Sequence, residues 1–146
     1  MSATLRERAL RLLARRDHAR VELQRKLAPH AESAEQLAQL LDDLTGRDLL
    51  SDVRYAEMRI HSRAPRYGNA RLTQELRQQG VADEVVSSLL AEGGDEMLRA
   101  RNVWRKKYTA LPGSAEERAK QTRFLLSRGF SMSMILRVLK GGFDDE

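Results

Sequence analysis

The chain has 146 residues, 41% hydrophobic, 32% charged and only 5% aromatic, enough for one compact domain or a few small repeated units with much solvated surface. With no cysteine, disulfides, thiol catalysis and cysteine-ligated zinc are excluded, and no apolar run approaches the ~20 residues of a membrane span. The net charge of +5 is uneven: residues 1–50 hold nine Lys/Arg against eight Asp/Glu, residues 51–98 six against eight, and residues 99–146 eleven against five. A basic excess of that kind draws polyanions or acidic protein surfaces.

Only three prolines occur and long β-branched runs are absent, so all-α structure is expected. A first helix over 4–16 places Leu5, Ala9, Leu12 and Leu13 inward. Although basic and amphipathic, it carries Glu7 and has no apolar h-region, so it reads as mature helix and not as a transit peptide. Asp17 is expected to cap a second helix with Leu23 and Leu27 inward, stopped at Pro29. Ser33-Ala34-Glu35-Gln36 has the form of a capping box ahead of Leu37, Leu40, Leu41 and Leu44, and Gly46 ends that helix. Ser51 and Asp52 open a fourth helix with Tyr55, Ala56 and Met58 inward, ended by Pro65.

Residues 66–90 read as helix, glycine turn, helix. Leu72 and Leu76 share one face, Gly80 supplies the stop, and Val85, Val86, Leu89 and Leu90 form the next stripe. Neither helix is long enough to stand alone in water. After Gly93-Gly94 a seventh helix is expected from about Asp95 to Ala110, anchored by Leu98, Val103, Trp104 and Tyr108. Ser114-Ala115-Glu116-Glu117 is a second capping box, followed by an eighth helix to Gly129. Ser131 caps a ninth with Met134, Ile135, Val138 and Leu139 inward, and the acidic tail after Gly141-Gly142 is expected to be loose.

A 49-residue period joins these elements. Leu27, Leu76 and Leu125 recur at that step, as do Ala31, Gly80 and Gly129, Leu37, Val86 and Ile135, Leu40, Leu89 and Val138, and Leu41, Leu90 and Leu139. The first helices align less well, with Tyr55 and Trp104 one period apart but Arg6 at the matching place. The reading is three tandem three-helix repeats, at 1–50, 51–93 and 94–146, stacked as an elongated, curved helical array that presents a long binding surface and encloses no catalytic pocket.

The segments ALRLLARRDHARVELQRKLA, LLSDVRYAEMRIHSRAPRYGNARLTQELRQQGV and RGFSMSMILRVL resemble the RecX regulatory proteins of bacteria, from about Ala9 to Leu139. The middle segment carries the most specific features: Asp52, Tyr55 and Ala56, then Tyr67-Gly68, then Leu76 and Gly80. Arg47-Asp48-Leu49-Leu50 departs from the family's shorter turn. The resemblance implies a non-catalytic regulator that binds RecA–DNA filaments in the helical groove and inhibits ATP hydrolysis, filament extension and strand exchange, within the regulation of DNA repair and the SOS response. A cytoplasmic monomer is expected, with no cofactor, no metal and no membrane contact. Its partners would be the RecA filament and single- or double-stranded DNA.

Candidate contact residues fall in two sets. Arg99, Arg101, Arg105, Lys106 and Lys107 crowd one helix, and Arg118, Lys120, Arg123 and Arg128 extend that charge; such a face meets phosphates or acidic protein, or is simply solvated. Arg54, Arg59, Arg63, Arg66, Arg71 and Arg77 form a second, all-arginine set suited to bidentate contacts; those near Tyr67 in sequence are read as binding residues, and Glu57 and Glu75 can pair some of the set internally. Tyr67-Gly68 reads as a tight helix boundary, Trp104 as a core anchor, and Met132 and Met134 as core filler. His18, His30 and His61 lack partners at metal spacing, and there is no phosphate-binding glycine loop. The rival reading is a stand-alone helical DNA-binding protein whose paired short helices act as helix-turn-helix units.

Overall fold

The structure is a computed structural model that describes residues 3–141. Among the described residues there are nine α-helices, one 3-10 turn and no strand. The helices are α1 (Leu5–Arg15), α2 (Arg20–Leu27), α3 (Ala34–Gly46), α4 (Asp52–Arg63), α5 (Asn69–Gln78), α6 (Asp83–Glu92), α7 (Glu96–Lys107), α8 (Ala115–Ser127) and α9 (Met132–Lys140). None is long and apolar enough to cross a membrane.

The repeat is visible in the helix starts. The third helices α3, α6 and α9 begin at Ala34, Asp83 and Met132, in steps of 49 residues. The first helices keep a different step, because the connecting loops differ in length. Their common landmark is an alanine at the fifth helical position, Ala9 in α1, Ala56 in α4 and Ala100 in α7, each wholly buried. Tyr55 therefore corresponds to Arg99 and Trp104 to Ile60, which corrects the pairing of Tyr55 with Trp104 expected from a constant period.

The chain divides into two compact units. The first comprises residues 1–59 and 76–86, and the second residues 60–75 and 87–146. In the first, Ala9, Leu23, Leu27, Leu37, Leu40, Leu41, Leu44 and Leu50 form one apolar cluster. Gly80 takes φ +75°, and a Cβ there would meet Val21 at 2.6 Å, so the turn needs glycine for both conformation and space. In the second unit Met97, Ala100, Val103, Trp104, Leu125, Phe130, Ile135, Val138 and Leu139 cluster. Trp104 donates its indole N–H to buried Gln121 at 2.8 Å, and the Gln121 amide donates to the Ala110 carbonyl at 3.3 Å, so this polar pair is satisfied inside the core.

Several helix ends differ from expectation. Asp17 does not cap α2. The cap position is Ala19, which has no side-chain acceptor, and the Arg20 N–H donates instead to Asp52 of α4 at 2.8 Å. Asp17 pairs with Arg54 at 3.2 Å. The same device recurs in the second unit, where the Asn69 N–H at the start of α5 donates to Glu96 of α7 at 2.8 Å. Asp52 and Glu96 are each the first residue of their helix, so one carboxylate serves two positive helix ends. Ser33, Ser114 and Ser131 accept from the third-residue N–H as expected. Gln36 and Glu117, however, reach one residue further back, to the N–H of Glu32 and Gly113. A full capping box forms at Thr4 and Glu7, where none was anticipated.

The α7 helix ends at Lys107 and not near Ala110, and its inward methionine is Met97; Leu98, expected to anchor it, is exposed. One residue is a 100° rotation on a helix, enough to carry a side chain from core to solvent. Met132, at the first position of α9, is likewise exposed and fills no core. Residues 142–146, the expected loose tail, lie outside the described residues.

Candidate nucleic-acid interface

Several candidate cations of the second unit gather in two groups, one around Tyr67 and one around a cleft, which share Arg66 and Arg128. The first surrounds Tyr67, itself buried. The guanidinium carbons of Arg71, Arg63, Arg66 and Arg128 lie 4.1, 4.5, 5.5 and 5.6 Å from the ring centroid. Arg63 is anchored by two parallel hydrogen bonds to Glu75, at 2.6 and 2.8 Å. Arg71 donates to the same carboxylate at 3.2 Å and to the Ser127 carbonyl at 3.0 Å. Burial works against ionisation of Glu75, but the hydrogen bonds from Arg63 and Arg71 outweigh it and hold its carboxyl below the usual range. The bond to Glu75 likewise raises the Arg63 guanidinium.

Backbone geometry fixes the ring's position. Gly68 donates its N–H to the Arg128 carbonyl at 2.7 Å, and a Cβ on Gly68 would lie 2.3 Å from the Gly129 carbonyl oxygen. Gly129 takes φ +92°, and a Cβ there would meet the Arg71 Cβ at 2.3 Å. Two glycines thus let the α4–α5 and α8–α9 turns touch backbone to backbone. Arg99 closes the α4–α5 turn from α7, donating to the Ala64 and Tyr67 carbonyls and to the Asn69 side chain at 2.9, 2.5 and 2.7 Å. Burial pushes its guanidinium down, partly offset by Glu96.

The second group rims a cleft of about 210 Å³ whose floor is Pro65, Val103 and Phe124 and whose cations are Arg66, Lys106, Lys107 and Arg128. Lys107 Nζ lies 4.5 Å and the Arg128 guanidinium 5.1 Å from the Phe124 ring centroid. Among the described residues, none of these four cations has a carboxylate within ion-pair distance. A cation resting on an aromatic face keeps its full charge, so the cleft is an electropositive site over an apolar floor.

Comparison with known proteins agrees with this helical plan. The family models described as "RecX, second three-helix domain" and "RecX, third three-helix domain" match residues 51–90 and 95–139. A regulatory protein RecX of Ralstonia pickettii (strain 12J) is 47% identical over 139 residues, covering 94% of this chain and 87% of that one. The chain belongs to the RecX family. A second RecX, from Neisseria meningitidis serogroup B, is 42% identical over 97% of this chain and 93% of that protein. The crystal structure of RecX from Lactobacillus salivarius has the same fold at a TM-score of 0.79, with 20% identity, over 93% of this chain and 92% of that one.

Within this RecX-family chain the sequence-selected cations scatter. Arg54 is engaged by Asp17 and Asp48, and Arg77 by Asp83, both in the first unit. Arg63, Arg71 and Arg99 are held by internal acceptors. Arg101 is half-buried and Arg105 exposed on α7, while Arg118, Lys120 and Arg123 are exposed on α8. Arg66, Lys106, Lys107 and Arg128 converge on the cleft. Sequence reasoning missed Phe124 and Val103 as parts of that site, since Val103 read as an apolar anchor of its helix and Phe124 was assigned no role; the available signal was an aromatic residue one place before a repeated leucine, where the preceding repeat has Glu75. Among the described residues no cluster of His, Cys, Asp or Glu could hold a metal ion.

Proposed function

We propose that this RecX-family chain is a non-enzymatic regulator that binds RecA–DNA filaments in their helical groove and inhibits RecA ATPase, filament extension and strand exchange. It acts in the cytoplasm as a monomer built from three-helix units at 1–50, 51–93 and 94–146. The observation that carries the reading is the convergence on one face of Arg66, Lys106, Lys107 and Arg128, none of which has a carboxylate at ion-pair distance among the described residues. Cations that no described carboxylate engages are available to the phosphates or carboxylates of a partner. Occupying the groove blocks a second DNA strand sterically and resists the protomer movements that accompany ATP turnover.

The test is RecA ATPase on single-stranded DNA with this protein titrated in below the RecA concentration. Inhibition at substoichiometric ratios is expected, and it should disappear on joint replacement of Lys106 and Lys107 by glutamate with helicity intact. Undiminished inhibition by that folded variant would remove this face from the mechanism. The second reading, a stand-alone DNA-binding protein, is favoured by the same cleft; it predicts tight, salt-sensitive binding to naked DNA without any effect on RecA.

A further inference from the structure

We infer that the cleft over Phe124 takes one nucleotide of an unpaired nucleic-acid strand, its phosphates on the cationic rim and its base or sugar on the apolar floor. This deepens the proposed function by naming the partner chemistry of that site. Three observations favour a single strand. First, the lining side chains are apolar or cationic, so the cleft offers hydrogen-bond donors and no side-chain acceptor. A phosphodiester presents only acceptors there, whereas a peptide backbone would bring N–H groups that those side chains leave unmatched.

Second, the apolar floor has a use only for a ligand with an exposed apolar face beside its anionic charge. A duplex keeps its bases stacked inside and offers a cationic surface only its phosphates, while an unpaired strand can lay a base against an aromatic ring or a guanidinium plane. Third, the Arg128 guanidinium lies near both the Tyr67 and Phe124 rings, 5.6 and 5.1 Å from their centroids, so a rim cation is already positioned. Lys106 is exposed on the same rim with no internal partner among the described residues.

The experiment is fluorescence anisotropy on the full chain without RecA, so that its failure is separable from failure of filament regulation. The probes are a labelled oligothymidylate, a duplex of equal length, an abasic strand of equal length and an acidic peptide. The oligothymidylate is expected to bind at least several-fold tighter than the duplex or the abasic strand. Lys106→Ala should weaken it several-fold and reduce the slope of log affinity against log salt by about 0.7, the share of one phosphate on a single strand. Phe124→Leu, which keeps the floor apolar, should narrow the gap between the oligothymidylate and the abasic strand. Equal binding of those two strands, tighter binding of the duplex, or insensitivity to Lys106→Ala would overturn the inference. Displacement of the strand by the acidic peptide at lower concentration would overturn it in favour of a protein ligand.

Discussion

The second and third repeats solve one local problem in opposite ways. Arg63 is the last residue of α4 and Lys107 the last of α7. Facing Arg63 is Glu75, and facing Lys107 is Phe124; each stands immediately before the repeated buried leucine, Leu76 or Leu125. In the second repeat a cation meets a carboxylate and the charge is consumed in holding the Tyr67 cluster together. In the third it meets an aromatic ring and the charge survives. The same scaffold position is therefore a structural clamp in one repeat and part of an open electropositive cleft in the next. Counting arginines and lysines does not separate the two; the residue facing each one does.

The strongest way to break the clamp is through its backbone. Gly129→Ala puts a Cβ into Arg71 at a positive φ and should cost about 3 kcal/mol, read as a lower midpoint in chemical denaturation. A wild-type midpoint would show that the α8–α9 turn can shift without loss. Glu75→Phe gives the second repeat the arrangement of the third. It leaves Arg63 and Arg71 without their carboxylate and should destabilise by about 1–2 kcal/mol, while raising affinity for polyanions in the same preparation. A variant as stable as the parent would mean that Glu75 does not hold the cluster.

Smaller effects are expected from the caps and from pH. Removing the carboxylate that caps the preceding repeat, by Glu96→Ala, should cost about 1 kcal/mol, and Asp52→Ala a similar amount. Equal losses in thermal melts would establish that the two caps are one repeated device. The smallest effect concerns His18, buried with Nδ1 3.0 Å from the Arg16 carbonyl and Nε2 3.1 Å from Lys26. Burial pushes its imidazole below 6.5, so the unfolded chain takes up a proton first as pH falls. Stability should therefore decline below about pH 6.5, and His18→Gln should flatten that decline in denaturation measured from pH 7.5 to 5.5. Glu75 acts lower: its contribution is present above about pH 4.5 and is lost as pH falls through its depressed value.

Much of the fold was legible because helical stripes repeat. The period of 49 residues rests on Leu27, Leu76 and Leu125 and on the third helices, whose starts obey it. The first helices escaped that reading because loops of different length precede and follow them, and because their shared residue is a buried alanine, which carries little hydropathy signal. Leu98 and Met97 exchanged roles within a single helical step. At the candidate site, charge clustering pointed to the α7–α8 region but could not distinguish Lys106 from Arg99, since the acceptors that engage Arg99 are two backbone carbonyls and Asn69, about thirty residues away. Asp17 illustrates the same limit: a good N-cap residue two places before the cap position Ala19 pairs with Arg54, while Asp52, distant in sequence, accepts from the Arg20 N–H.

The most direct test of the contrast between repeats is to install the second repeat's solution in the third. Phe124→Glu places a carboxylate beside Lys107 and Arg128, where Glu75 stands beside Arg63 and Arg71. Oligothymidylate affinity and substoichiometric inhibition of RecA ATPase should both fall by roughly tenfold or more, since one lost charge-assisted contact and one added repulsion exceed about 1.4 kcal/mol together. Far-UV helicity should stay unchanged. A folded Phe124→Glu protein that binds and inhibits like the parent would contradict the claim that un-neutralised charge over this ring is what the third repeat contributes.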